Sequence, residues 1–349
     1  MHYYRVSGII LALLLGTSII VWGQKEPTYR VACIGFYNLE NLFDTINDPL
    51  TNDEEFLPDK ANAWTDKRFR EKLDNMAHVV SLLGTEITPD GAAIMGFSEI
   101  ENRYVLEELI KTKHLKHRKY EIVHFDSPDY RGVDVGLIYQ PRYFTVLNSK
   151  SHELVFTDAP DFKTRDQLVV TGILDGDTIH IIVNHWPSRR GGTERSEPRR
   201  VAAAQLTRAI ADSLIDIYKN ARIVVMGDLN DNPTDASVKK YLRVDGETDD
   251  LQPESLYNPF EPLFRKGIGT TAYRDVWNLF DMIIISESLV NAESNKYKLL
   301  KPVIFSKDFL IQQEGRYKGY PLRTFGSGIY LGGYSDHFPV YLFLAKQLD

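Results

Sequence analysis

Residues 222–233 read Arg222-Ile223-Val224-Val225-Met226-Gly227-Asp228-Leu229-Asn230-Asp231-Asn232-Pro233. Arg222 to Met226 is β-branched and apolar and reads as a core strand. Such strands normally stop in Gly, Asn or Ser, residues that supply turn geometry. Here the strand runs into Asp228 and Asn230, which stand two apart and can project from one side of an extended segment. A carboxylate there can take a proton from water, and the neighbouring amide can hold that water or a phosphate oxygen. Viewed alone, the motif also reads as an ordinary Asx-rich turn.

Working outward, the same pattern recurs: a polar group where an apolar strand ends. Asn38 lies just past a strand from Thr28 to Tyr37, in Tyr37-Asn38-Leu39-Glu40-Asn41, where its ordinary reading is a turn with Glu40 solvated. Glu99 follows the strand Ala92–Phe97. It must be solvated, paired or bound to a cation, because burying a lone carboxylate costs several kcal/mol or more. Nearby Asn102 reads as the cap of a short helix, Arg103–Lys111. His185 ends an Ile-Ile-Val run in the strand Thr178–Asn184, and otherwise reads as a core histidine. Asp281 heads the run Phe280–Ile285 and needs a partner, for which histidine is the natural choice: an Asp–His hydrogen bond fixes the tautomer and raises the imidazole pKa. Ser335-Asp336-His337-Phe338-Pro339 leads into a strand, Val340–Phe343. Arg189, Arg190, Arg195, Arg199 and Arg200 form a local cation patch that runs into a helix over Pro198–Tyr218. Helix N-termini favour anions. A solvated helix start with Glu194 and Glu197 as partners is the ordinary reading.

Between these points the periodicities place a helix over Asp66–Leu83, with Phe69, Leu73, Met76, Val80 and Leu83 on one face, and a face of Ala203, Leu206, Ile210, Leu214 and Ile217 on the later helix. Further strands are expected at Tyr120–Phe125, Val133–Tyr139, Phe144–Asn148 and Gln167–Leu174. Asp245–Lys266 is polar, acidic and Pro-containing and reads as a surface loop or insertion. No repeat or linker divides the chain, so one α+β domain over 28–349 is expected, two packed sheets with helices outside. With 349 residues and 43% hydrophobic content the chain is too apolar for disorder and too mixed for a fibre. A net charge of -7 argues against a generally basic nucleic-acid coat but leaves room for a small basic groove. The single cysteine, Cys33, excludes an intramolecular disulfide framework and a multi-cysteine metal cluster.

Met1 to Lys25 reads as an address: Arg5 precedes an apolar run to Trp22, and Val21 and Gly23 suit a signal-peptidase cut before Gln24, giving a signal peptide over 1–23. The run is at the short edge for a bilayer span, so an uncleaved anchor is the alternative. Either way the body is expected outside the cytoplasm, periplasmic or secreted, with no stable membrane insertion after cleavage.

Taken jointly, oxygen ligands without cysteine suit a hard cation, Mg2+ or Mn2+ with Ca2+ as a further option. Two histidines and a carboxylate base beside such a cation fit displacement at phosphorus, which needs an activated water and charge neutralisation on the phosphoryl oxygens. The runs YNLEN, GFSEIEN, RGVDVGLIY, NHWPS, GDLNDNP, FDMIIIS and SDHFPV, in this order from Tyr37 to Val340, resemble the endonuclease/exonuclease/phosphatase superfamily. The resemblance implies a four-layered α/β/β/α sandwich with two mostly antiparallel sheets. It implies Glu99, Asn38 and Asp336 at the metal and Asp228 as the base acting on water. Asn230, His185 and His337 would act on the phosphate, Asp281 would orient His337, and Arg131 would be a phosphate contact. Arg189 and Arg190 would grip a polyanionic substrate. The expected activity is metal-dependent phosphoester hydrolysis on nucleic acid by a secreted nuclease. A sphingomyelinase-like or inositol-phosphate-type enzyme, with Trp186 as a membrane-facing aromatic, is the alternative, and a non-catalytic binding protein the remote one. No protein partner is readable.

Overall fold

The computed structural model describes residues 28–348, so the signal peptide expected over 1–23 lies outside the described residues. In chain order the elements are β1 (Thr28–Leu42), α1 (Asp66–Leu82), β2 (Ile94–Ile100), α2 (Arg103–Lys111), β3 (Glu121–His124), β4 (Asp134–Tyr139), β5 (Phe144–His152), β6 (Gln167–Leu174), β7 (Asp177–His185), α3 (Thr193–Ile217), β8 (Ile223–Asp228), β9 (Val244–Asp245), β10 (Leu256–Tyr257), α4 (Glu261–Arg265), β11 (Thr271–Tyr273), β12 (Val276–Asn278), β13 (Asp281–Ser286), β14 (Lys298–Ile304), β15 (Phe325–Gly326), β16 (Ile329–Tyr330) and β17 (Val340–Leu348). Two large sheets result, ordered β14-β17-β1-β2-β4-β3 and β5-β6-β7-β8-β13-β10-β9. Most neighbours are antiparallel; β1–β2, β7–β8 and β9–β10 are parallel.

Period-two alternation explains the layering. On β1, Ala32, Ile34 and Phe36 face the core shared with the second sheet, while Cys33, Tyr37 and Leu39 face the core under α1 and α2. On the far side, Ala203, Ala204, Ile210 and Ala211 of α3 close the second sheet. The order is therefore helices, sheet, sheet, helix, the sandwich expected. With both faces of the central strands covered, each fully buried Ile, Phe or Leu contributes about 1.5–3 kcal/mol. That outlay on apolar contact sustains the polar cluster at one end.

Two expectations, and one detail of the alternative reading, need correction. α3 begins at Thr193, so Pro198 lies inside it, in the second turn, and does not start it. Asp245–Lys266 is not a plain loop: β10 pairs with β13 and β9 with β10, extending the sheet edge, and α4 follows. Strands of two residues carry no readable alternation, which is why they escape the sequence. Trp186 is buried, its indole N–H donating to Asn184 Oδ1 at 3.1 Å, so it cannot face a membrane. No helix of the described residues is long and apolar enough to cross a membrane.

Gly227 shows why the strand before Asp228 ends as it does. A Cβ there would stand 2.3 Å from the Asn184 carbonyl oxygen of the neighbouring strand. Gly227→Ala must push β7 and β8 apart at their ends. We expect a destabilisation of about 1–3 kcal/mol, typical of overpacking, together with a fall in turnover as His185 and Asp228 shift. Unchanged Tm and turnover would contradict this packing.

Candidate active site

The site forms where the central strands of both sheets end. In the second sheet, His185, Asp228 and Asp281 sit abreast as register partners on β7, β8 and β13. In the first, Asn38 of β1 lies beside Ser98 of β2, and both strands then break register. Glu99 adopts φ 58° and Glu40 and Asn41 adopt φ 46° and 56°, left-handed values that non-glycine residues seldom take. Such bulges re-aim side chains, and strain of this kind gathers at functional sites. The bulge brings the Glu99 carboxylate to Asn38, whose Nδ2 donates to Glu99 Oε1 at 3.3 Å and to Asp228 Oδ2 at 3.0 Å. The Asn41 N–H donates to Glu99 Oε2 at 2.9 Å. Asp228 Oδ1 accepts from the Asn230 N–H at 2.9 Å, and Asn230 Nδ2 donates to the Trp186 carbonyl at 3.0 Å.

His337 and Asp281 pair at 2.6 Å between Nδ1 and Oδ2, the partner that a buried strand-head carboxylate requires. His337 Nε2 then lies 3.9 Å from Asp228 Oδ2. His185 Nε2 lies 3.7 Å from the same oxygen and 3.8 Å from Glu99 Oε1. These separations are too long for hydrogen bonds, so the groups aim at a common point without bonding one another.

The protonation pattern follows from burial and neighbours. Burial pushes the Asp228 carboxyl up to about 7, against the opposing pull of His337. Burial lowers His185 well below its ordinary value, with Arg165 and Arg131 adding to the effect. Burial would lower His337 too, but Asp281, Asp228 and Asp336 outweigh it and hold the imidazole well above its ordinary value. One histidine is thus neutral and the other cationic beside a carboxylate poised near neutrality, a division of roles typical of acid–base sites.

Glu99, His185 and Asp228 each offer a ligand atom within 4.8 Å of the others. This oxygen-rich set fits a hard divalent ion, and Glu99, the most exposed of the three, is its natural holder. Asn38 lies between two of these carboxylates. Its Oδ1 accepts the Glu40 N–H at 2.8 Å, so its amide nitrogen faces the carboxylates. It therefore clamps Glu99 to Asp228. Asp336 stands apart from that trio, held by Arg323 at 2.9 Å.

The arginine patch also divides. Arg189 contacts the Asn230 carbonyl at 2.8 Å, Asp231 at 2.9 Å and Asp235 at 2.5 Å, which braces the Asn230 loop. Arg200 is buried against Asp231, and Arg199 covers the Phe162 ring. Arg190 remains exposed, touching among the described residues the Tyr130 hydroxyl at 3.3 Å, and Arg131 is half-buried beside Asp129.

The profile of the Endonuclease/Exonuclease/phosphatase family matches residues 33–346. The chain belongs to this family. No curated protein matches the chain. Among solved structures, a family protein from Bacteroides thetaiotaomicron has a TM-score of 0.55 at 15% identity, covering 93% of this chain and 100% of that one. A humanized D. rerio TDP2 carrying 14 mutations scores 0.54 at 14% identity, covering 90% and 98%. A Bacteroides thetaiotaomicron mannosyl-6-phosphatase scores 0.53 at 15%, covering 90% and 99%. At these identities the likeness establishes the phosphoesterase fold of the family.

Sequence reasoning missed a charge chain beside the site. Arg323 donates to Glu40 Oε1 at 3.1 Å as well as to Asp336. The Thr324 N–H donates to Glu40 Oε2 at 2.7 Å, and buried Lys72 donates to the Tyr334 carbonyl at 3.1 Å and to Thr324 Oγ1. Glu40 is buried by these contacts, not solvated. The only sequence signal was its place in YNLEN. Arg323 fixes Asp336, and with it the entry to His337. Outer partners of this kind are worth about 10–100-fold in metal affinity or activity. Arg323→Gln is expected to lose that factor in kcat, with Arg323→Lys recovering part; equal rates for all three proteins would remove Arg323 from the site.

Proposed function

We propose that this chain is a divalent-metal-dependent phosphoester hydrolase acting on nucleic acid, with Asp228 as the base. The observation that carries the reading is the meeting of Asp228, His185, His337 and Glu99 at the strand ends, with Asp228 held near neutral pKa between two imidazoles. Asp228, aligned by Asn38 and by the Asn230 N–H, takes a proton from water as that water attacks phosphorus in line with the ester oxygen. His337, charged and fixed by Asp281, donates to a non-bridging phosphoryl oxygen, and His185 holds a second. Arg190 lines the cleft that holds His337 and would meet a flanking phosphate, while the Arg131 guanidinium, whose charge reaches His185, would add to the field on the phosphate. Mg2+ or Mn2+ held at Glu99 would supply neutralisation of the phosphoryl and leaving oxygens.

Support for nucleic acid comes from a D. rerio TDP2 complexed with single strand DNA product, which has a TM-score of 0.51 over 90% of this chain. The mannosyl-6-phosphatase likeness supports a second reading, a sugar phosphate monoesterase. A panel of single-stranded and plasmid DNA, RNA, sphingomyelin, inositol phosphates and mannose 6-phosphate, with and without Mg2+, separates them. Metal-dependent cleavage of nucleic acid is expected; release of phosphate from the monoesters alone would favour the second. We also propose that the mature chain acts outside the cytoplasm, for which the Arg5-led apolar run of 1–23 is the support. Gln24 as the first residue of the exported protein is the expected result, and intact Met1 in the cytosol the contrary one.

A further inference from the structure

Beside His337, Asp336 and Asn230 opens a cleft of about 1300 Å³, above the roughly 300–1,000 Å³ of ordinary small-ligand pockets. One wall is the hairpin β11–β12 together with the segment 312–320. The hairpin turns on Arg274 and Asp275, both left-handed at φ 51° and 65°. Two-residue turns of this type usually carry Asn-Gly, and bulky residues there are strained. Tyr320 holds the turn: its hydroxyl accepts the Asp275 N–H at 2.6 Å and donates to Asp275 Oδ1 at 2.7 Å. Hairpin and segment therefore form one fixed surface.

That surface presents two exposed rings, Tyr273 and Tyr317, with the Arg274 guanidinium 5.3 Å and the Arg316 guanidinium 5.7 Å from their centroids. Among the described residues neither arginine is paired with a carboxylate, in a chain of net charge -7. Exposed aromatic faces beside free guanidiniums are what unpaired bases and their phosphates require. A duplex hides its base faces. A bilayer meets surfaces that project, whereas these residues line a concave wall. Resting on the phosphoesterase reading above, we propose that Tyr273, Arg274, Arg316 and Tyr317 form a subsite for single-stranded nucleic acid running on from the scissile phosphate. Val276, Ile329 and Leu331 are exposed in the same cleft and are what a lipid tail would use, which sets the competing arm of the test.

The experiment uses the full chain and two variants, Tyr273→Ala/Tyr317→Ala and Arg274→Gln/Arg316→Gln. Anisotropy with labelled single-stranded and duplex oligonucleotides in excess chelator reads binding without turnover. Hydrolysis of bis-(p-nitrophenyl) phosphate with Mg2+ reads the catalytic centre alone, and sedimentation with phosphatidylcholine/phosphatidylserine vesicles reads lipid. We expect the small-substrate rate to be unchanged in both variants. Single-strand affinity should fall roughly tenfold per ring removed, and the arginine pair should reduce the salt slope by about 1.4, at roughly 0.7 per phosphate contact on a single strand. Single-strand binding equal to wild type in both variants, preference for duplex, or vesicle binding lost on substitution would overturn the subsite. A wild-type protein inert towards the small diester would instead sink the phosphoesterase reading, while binding in chelator still decides the subsite.

Discussion

Asp228→Ala is expected to lower kcat on bis-(p-nitrophenyl) phosphate by roughly 10²–10⁴-fold, the worth of a positioned general base, while Tm stays level or rises. Both halves follow from one fact. Asp228 is almost fully buried, and burial pushes its carboxyl up to about 7, so its ionised form is a burden on the fold that function retains. Removing it frees Asn38 Nδ2 and leaves His337 paired with Asp281. A merely structural carboxylate would behave the other way: loss of stability with the rate preserved in the protein that still folds. Turnover within tenfold of wild type would take the base away from Asp228.

The second large effect is expected at Glu99. Glu99→Gln keeps an acceptor for the Asn41 N–H and the shape of the bulge, but removes the charge that a divalent ion requires. Titration calorimetry should show Mn2+ affinity weakened by at least about 10²-fold, and kcat should fall by roughly 10²–10³-fold as electrostatic stabilisation of the phosphoryl group is lost. The two readouts must move together. Intact metal affinity with lost turnover would place the ion elsewhere, at the Asp336 side of the cleft. Lost affinity with intact turnover would make the ion structural.

The parts of this molecule that were legible in its sequence share a physical cause. Strands buried on both faces, such as Ile94–Phe97, Ile223–Met226 and Met282–Ile285, carry unbroken apolar runs, so a carboxylate or histidine at their ends stands out. That is why Asp228, Glu99, His185 and Asp281 could be singled out. The Asp281–His337 pair was readable because a carboxylate at a buried strand head leaves few ways to be satisfied. The illegible parts depend on partners remote in sequence. Glu40 meets Arg323 across 283 positions, and neither residue announces the other. Arg189 and Arg200 looked like a free cation patch because nothing local shows that Asp231 and Asp235 take them up. Which way the Asn38 amide points is set by the Glu40 N–H, a consequence of left-handed backbone at Glu40 and Asn41 that composition does not encode. β14 is an edge strand whose apolar run is broken by Lys301 and Pro302, and the turn of β11–β12 lacks the glycine that marks such hairpins.

The account turns on strand ends from two sheets forming one metal-assisted site that opens phosphoester bonds. Steady-state hydrolysis of bis-(p-nitrophenyl) phosphate by the wild-type chain, stripped with excess chelator and then restored with Mg2+ or Mn2+, tests it most directly. The prediction is turnover that vanishes with the chelator and returns with the ion. Full turnover in the chelator, or none with either ion in a folded protein, would contradict it.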